Sequence, residues 1–311
     1  MNPALSVIFF TTLSGAGLGM LAWLGIHYAR APLPLARGYA LAVLGIALAL
    51  LATGLVSSML HLGKPLRAWR AFSQWRSSWL SREGIASVAT FVPALVLAAA
   101  IWRGTHGAAS VVASLALVLL ALASLVCTAK IYDTLKPIAA WHNRYVLPGY
   151  LLIGLGTGAL WLTTLLALAG RAPRTMQLAS IAVLFALIGV HKLLYWRYVD
   201  RTPLAAHAGS LTGLGRLGRV SSFEAPHTES NYLLREMGFV VARRHARVLR
   251  ATALLLLAVV PLAATGFLAV QASAPVVPAA IALVAASLGS FVERWLFFAE
   301  AKHAVIAYYA R

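Results

Sequence analysis

Residues 61–84, HLGKPLRAWRAFSQWRSSWLSREG, set one His, one Lys, four Arg, three Trp and one Glu between two runs of almost pure hydrocarbon. Gly63 and Pro65 end a helix just beyond His61, so His61 reads as the last residue of the preceding apolar helix. It then stands at the edge of the hydrocarbon beside Lys64, Arg67 and Arg70. A neutral imidazole there can donate or accept a hydrogen bond and changes charge near neutral pH. That suits a quinone carbonyl, which gains or loses a proton with each electron. The plainer reading is an interfacial His satisfied by a carbonyl, a water or a Trp. Leu66, Trp69, Phe72, Trp75 and Trp79 recur at steps of three and four residues and are expected to face inward from an amphipathic surface helix. Trp at that depth also serves as ordinary interface anchoring.

A second cluster follows in AKIYDTLKPIAAWHNRYVLPGY, residues 129–150. Lys130 and Asp133 are three apart and can pair on one helix face. Tyr132, Trp141, His142, Asn143 and Arg144 fall at the same expected depth as His61. Two such clusters predict a small polar pocket under a greasy bundle, fit for a redox-active lipid head group. An ionisable group within a span is costly and a functional candidate by default. The candidates are His61, Lys130, Asp133, His191, Glu293, Arg294, Glu300 and His303. They form no long row of charges, which weighs against an ion-driven pump. They also give no facing His pair at matched depth, so no haem is expected. Cys127 is the only cysteine, which excludes an intrachain disulfide and a C-x-x-C-H haem attachment and reads as a packed thiol.

The elements that must position these residues are helices in a membrane. Of 311 residues, 61% are hydrophobic and 11% charged, where soluble proteins carry about 25% charged residues. A spanning helix needs roughly 20 apolar residues. Eight such stretches occur, near 4–27, 38–61, 84–102, 109–130, 146–169, 176–196, 248–271 and 278–308. Strand alternation is absent. The fold class is therefore all-α, a polytopic membrane protein forming a single integral membrane domain over 1–311. The first stretch lacks a basic n-region and is too long for a cleaved signal, so it is expected to remain as the first helix.

The net charge of +18 is a matter of orientation here, not of nucleic acid. Loops after even-numbered helices hold 5, 3 and 10 Lys and Arg; loops after odd-numbered helices hold 2, 1, 2 and 0. The positive-inside rule places the even loops, and with eight spans both termini, in the cytoplasm. Part of the excess also suits anionic membrane lipid. Two even loops are long, 62–84 and 192–250, and are expected to dock a partner. In the second, Phe223, Tyr232, Leu233, Leu234, Arg235 and Phe239 are the expected anchors. Gly213, Gly215 and Gly218 form a G-x-G-x-x-G, but no strand and helix are expected to flank it, so it reads as a chance match. No electron carrier is visible, so electrons handled with quinone must pass through a partner on the cytoplasmic face.

The stretches SSMLHLGKPLRAWRAFSQWRSSWLSREG and AKIYDTLKPIAAWHNRYVLPGY resemble the membrane-anchor subunits of dimethyl-sulfoxide-reductase-type molybdoenzymes, the DmsC family. The resemblance runs over essentially the whole chain. NPALSVIFFTTLSGAGLGMLAWLGI and HTESNYLLREMGFVVARRHARVLR further resemble the branch that anchors cytoplasmic sulfite dehydrogenases. The resemblance implies a bacterial inner-membrane protein with two partners on the cytoplasmic face. One is a molybdopterin-bearing catalytic protein. The other is an iron–sulfur, ferredoxin-like subunit that holds the clusters. It implies an anchor without haem that exchanges electrons with ubiquinone or menaquinone. The family's quinone-contacting His matches His61, and with the two clusters read above the expected quinone site is His61, Gly63, Lys64, Arg67, Arg70, Trp75, Tyr132, Asp133 and Trp141. Two rivals stand beside sulfite oxidation. One is the reverse flow, from quinol to a sulfoxide or N-oxide; the other is a small-anion transporter. The absence of Gly- or Pro-broken helices in matched halves weighs against the transporter.

Overall fold

The computed structural model describes residues 4–60, 62–202, 208–220, 245–271 and 274–305. Eight helices are long and apolar enough to cross a membrane: α1 Leu5–Arg30, α2 Arg37–Met59, α3 Trp79–Arg103, α4 Ala108–Asp133, α5 Val146–Leu168, α6 Thr175–Arg201, α7 Ala246–Val270 and α8 Val276–Ala299. No strand occurs among the described residues. The backbone explains the class, because in lipid every N–H and C=O must find a partner within its own segment.

Three boundaries differ from the hydropathy reading. Helix α3 begins at Trp79, not at 84, since Ser78 caps it by accepting from the Ser81 N–H at 3.4 Å. Helix α6 continues to Arg201, past its charged residues, and α8 ends at Ala299, not 308. Two prolines leave their marks. Pro93 cannot donate to the Ala89 carbonyl, and α3 is interrupted at Thr90. Pro261 likewise follows a widened turn over Leu255–Val259 in α7, so the expectation that no Pro-interrupted helices occur at matching positions of the two halves does not hold.

The helices form two groups of four. Helix α1 packs on α2 and α4, with α3 closing the group against α2 and α4; α5 packs on α6 and α8, with α7 closing that group. The two groups meet where α1 crosses α5, and these are the most enclosed helices of the eight. Glycine makes the crossing possible. A Cβ on Gly19 would overlap the Gly154 carbonyl, and one on Gly158 would overlap the backbone of Gly19 and Met20. Van der Waals packing between close backbones drives association where water is absent. Alternation of direction puts the start of α1 and α5 and the end of α4, α6 and α8 on the even-loop side.

Candidate functional site

Between α2 and α3, Pro65–Gln74 forms a 3₁₀ helix. Phe72 lies against Gly84, where an added Cβ would stand 3.1 Å from the ring. Arg82 holds the segment down, its Nε donating to the Trp75 carbonyl at 2.9 Å and a terminal nitrogen to Arg76 at 2.6 Å. The Ser81 hydroxyl donates to the Ala71 carbonyl. The expected inward stripe is not formed. Leu66 is 93% exposed, Trp69 65% and Trp75 53%. A 3₁₀ helix has three residues per turn, so Leu66, Trp69, Phe72 and Trp75, each three apart, do share one face, and that face is turned largely outward rather than into the bundle. The exposed rings carry guanidinium groups: Arg70 at 5.7 Å from the Trp69 centroid, Arg76 at 5.3 Å from Trp75, Arg82 at 4.3 Å from Trp79. Gly63, Lys64, Arg67 and Arg70 are exposed along the same segment. His61 lies outside the described residues.

The second cluster is placed differently. Tyr132 and Trp141 are buried in an aromatic core with Tyr150, Phe297 and Phe298. The Trp141 indole N–H donates to the Phe297 carbonyl at 2.9 Å, tying the α4–α5 loop to α8. Asp133 pairs with Lys130, as the spacing predicts. The His142 ring meets the Asp133 carbonyl. The head-group pocket expected beneath both clusters thus resolves into an exposed cationic strip and a packed aromatic wall. They are linked through Glu83, whose carboxylate accepts from the Thr128 hydroxyl at 2.7 Å one turn before Tyr132.

The most costly arrangement lies deeper. The Glu293 carboxylate accepts from Lys192 on one oxygen and from Arg294 on the other. Exposures are 1% for Glu293 and 3% for each cation. The Lys192 ammonium also lies 4.5 Å from the Tyr195 ring, and the Arg294 guanidinium 4.1 Å from Tyr150. Further out, Arg250 bonds Asp200 at 2.7 and 2.9 Å and Glu300 at 2.9 Å. Burial pushes the Glu300 carboxyl above the usual carboxylate range even against the pull of Arg250. Trp196 lies between the levels, 5.9 Å from Lys192 and 5.6 Å from Arg250. A row of alternating charges therefore exists, assembled from α6, α7 and α8 rather than along one span.

Sequence reasoning singled out Glu293, Arg294 and Glu300 but assigned Lys192 and Glu83 to loops, because an apolar run stops at the first charge. The signal was the amount of helix left: Lys192 is followed by Leu193, Leu194, Tyr195 and Trp196 before the next cation. Of the other histidines, His191 donates through Nε2 to the Tyr145 carbonyl at 2.8 Å, and His303 Nδ1 accepts from the Val305 N–H. Desolvation lowers His303 below the ordinary imidazole range.

Phe223, Tyr232, Leu233, Leu234, Arg235 and Phe239 lie outside the described residues. Of the G-x-G-x-x-G glycines, Gly213 and Gly218 flank a 3₁₀ turn, Leu214–Arg216, that contains Gly215, and the turn is preceded by the short helix Ala208–Thr212 and not by a strand.

The family model for the DMSO reductase anchor subunit (DmsC) matches residues 1–299. A sulfite dehydrogenase subunit from Allochromatium vinosum is 34% identical over 331 aligned positions, covering 99% of each chain.

Proposed function

Because the chain belongs to the DmsC family of membrane-anchor subunits, we propose that it passes electrons between an iron–sulfur subunit and the quinone pool during sulfite oxidation by a molybdopterin partner. The end-to-end match to anchor subunits carries the reading, and the name of the Allochromatium relative supplies the substrate. Support for the quinone site is the cationic, Trp-bearing strip at the start of α3, backed by Glu83 on Thr128. Lys64, Arg67 and Arg70 on this strip attract an electron-rich head group, and Trp75 offers it a ring face. His61, next to the strip in sequence, exchanges a proton with it. Gly63 leaves open space beside the strip, with nothing within 4 Å of where its Cβ would be. Tyr132 and Trp141, held rigid in the aromatic core, with Asp133 at its edge, form the wall behind the strip. When bound, quinone supplies two-electron redox chemistry coupled to protons.

The charge asymmetry supports a bacterial inner-membrane location with partners, strip and both termini on the cytoplasmic side. Residues 62–84 and 192–250 then form the docking platform. The DMSO reductase family name supports one other reading, electron flow from quinol toward a reductase. The deciding experiment measures sulfite-dependent quinone reduction by membranes bearing the complex, beside sulfite oxidation with a soluble dye. The parent complex is expected to do both. The His61→Ala complex should lose quinone-coupled turnover and keep dye-coupled turnover. Equal quinone-coupled rates in parent and variant would sink the assignment of His61.

A further inference from the structure

All eight acids of the chain belong to the even loops or to the helix halves next to them. The opposite, odd-loop ends hold Arg30, Arg37, Arg103, Arg171 and Arg174 and no Asp or Glu. These five arginines are exposed, and none pairs with a carboxylate among the described residues. They stand at the level of the lipid head groups. Trp102, 71% exposed at the end of α3, marks that level, since exposed Trp collects at the membrane–water interface. A face of unpaired cations at head-group depth attracts anionic lipid in general. One of the five also stands over a cavity.

The cavity lies between the ends of α1 and α3 and the starts of α2 and α4, with a free volume of about 200 Å³. Its floor is apolar: Leu33, Ala40, Leu97 and Ile101 line it and are each at most 8% exposed. Its mouth is polar, with the Arg37 guanidinium and the exposed Thr105. The walls are pinned. His106 Nε2 bonds the Tyr28 carbonyl at 2.8 Å, which ties the α3–α4 link to the end of α1. Arg37 lies against Gly104, where a Cβ would overlap the guanidinium, and one of its terminal nitrogens donates to the Trp102 carbonyl at 3.4 Å. A guanidinium carries five N–H donors, so the others stay open to a ligand. Helix α2 also starts at Arg37 without a capping side chain, which adds the positive end of its dipole. A dry apolar cavity of roughly 150 Å³ is enough to take a benzene ring. This one has room for a stretch of hydrocarbon, which its floor favours over water.

We propose that this cavity binds an anionic phospholipid from the leaflet on the odd-loop side. The phosphate pairs with the Arg37 guanidinium through charge-assisted hydrogen bonds, beside the Thr105 hydroxyl. A stretch of acyl chain covers Leu33, Leu97 and Ile101. The neighbouring arginines, with no acid among them, favour a head group of net negative charge over a zwitterionic one. A free anion is a poorer occupant because it leaves the apolar floor uncovered. A protein is poorer too, since the floor is recessed between helices and the mouth opens on the face opposite residues 62–84 and 192–250. The bound lipid bridges the α1–α2 and α3–α4 links and stabilises that end of the bundle by binding the folded state. The inference stands apart from the quinone reading and needs only the membrane setting.

The test uses the purified complex, stripped of lipid in detergent and supplied with phosphatidylglycerol, phosphatidylcholine or inorganic phosphate. Native mass spectrometry reads the lipid retained, and thermal unfolding reads the stabilisation. The parent should retain phosphatidylglycerol and unfold at a higher temperature with it, while phosphatidylcholine and phosphate have much smaller effects. This comparison needs no variant. Arg37→Gln should weaken phosphatidylglycerol retention about five- to tenfold. Ala100→Leu, which fills the cavity from the α3 wall, should weaken it with every arginine in place. Arg171→Gln, on the same face but outside the cavity lining, should retain lipid as the parent does. Equal retention of the two lipids, equal stabilisation by phosphate alone, or equal losses in Arg37→Gln and Arg171→Gln would each overturn the proposal. The last result would assign the lipid to the cationic face as a whole.

Discussion

Removing the acid from the buried trio should do far more damage than removing a base. Glu293 binds Lys192 and Arg294 through separate oxygens, and all three side chains are at most 3% exposed. Glu293→Gln keeps the shape and leaves two cations in hydrocarbon without their counter-ion. Stripping a partner from a buried ion pair costs about 3–5 kcal/mol. Lys192→Met instead leaves Glu293 and Arg294 balanced and removes the surplus positive charge. It loses one charge-assisted bond, about 1.5–3 kcal/mol, offset in part because an ammonium no longer has to be desolvated. The thioether replaces it against Tyr195 and Trp196. The double variant leaves one unpaired cation where Glu293→Gln leaves two, so the second substitution should rescue the first by about 1 kcal/mol or more, a coupling expected of groups in direct contact. The assay is the unfolding free energy of the anchor in the purified complex, from denaturing-detergent titration followed by Trp fluorescence. If Lys192→Met proves as harmful as Glu293→Gln, or the double variant is worse than Glu293→Gln alone, the charge accounting is refuted.

Gly158→Ala should destabilise the chain by about 1–3 kcal/mol, because its Cβ meets α1 backbone that cannot swing aside, whereas Gly266→Ala, with nothing within 4 Å, should be near neutral; the same titration measures both. Arg82→Ala releases the Trp75 and Arg76 carbonyls, so amides of residues 65–78 should exchange faster with deuterium while those of α5 stay unchanged. Tyr232→Ala with Leu233→Ala should move catalytic activity from washed membranes into the soluble fraction, since aromatic and aliphatic anchors carry most interface energy. Neutralising Arg216 and Arg219 should only weaken attachment at raised salt. Activity that stays fully on the membrane in the double Ala variant would assign docking to residues 62–84.

The eight spans were legible because hydropathy reports directly on the solvent that each segment meets. The error at α3 was physical: Arg82 and Glu83 look like loop residues until Trp75, Arg76 and Thr128 supply their partners. The Trp stripe misled in its direction only: residues three apart share a face of the 3₁₀ helix Pro65–Gln74, but spacing does not say which way that face points, and Trp69 and Trp75 lie outward. The pairing of Lys192 with Glu293, 101 residues apart, left no local trace. Glu293 and Arg294 announced themselves by standing in an apolar run, but their partners depended on how α6 and α8 meet.

The glycine crossing of α1 and α5 also bears on how the chain is made. A ribosome delivers α1 to the membrane four helices before the surface it fits. Until then α1 faces lipid with Thr11, Thr12 and Ser14 in its first turns, and it can do so because each hydroxyl is already bonded to its own helix. The same side chains later face α4, α5 and α8 inside the bundle without changing partners. The order of synthesis thus requires a first helix that is comfortable alone and specific once joined. Arg294, whose guanidinium pairs with Glu293 and lies over the Tyr150 ring of α5, arrives in the last helix, when the fold that receives it is nearly complete.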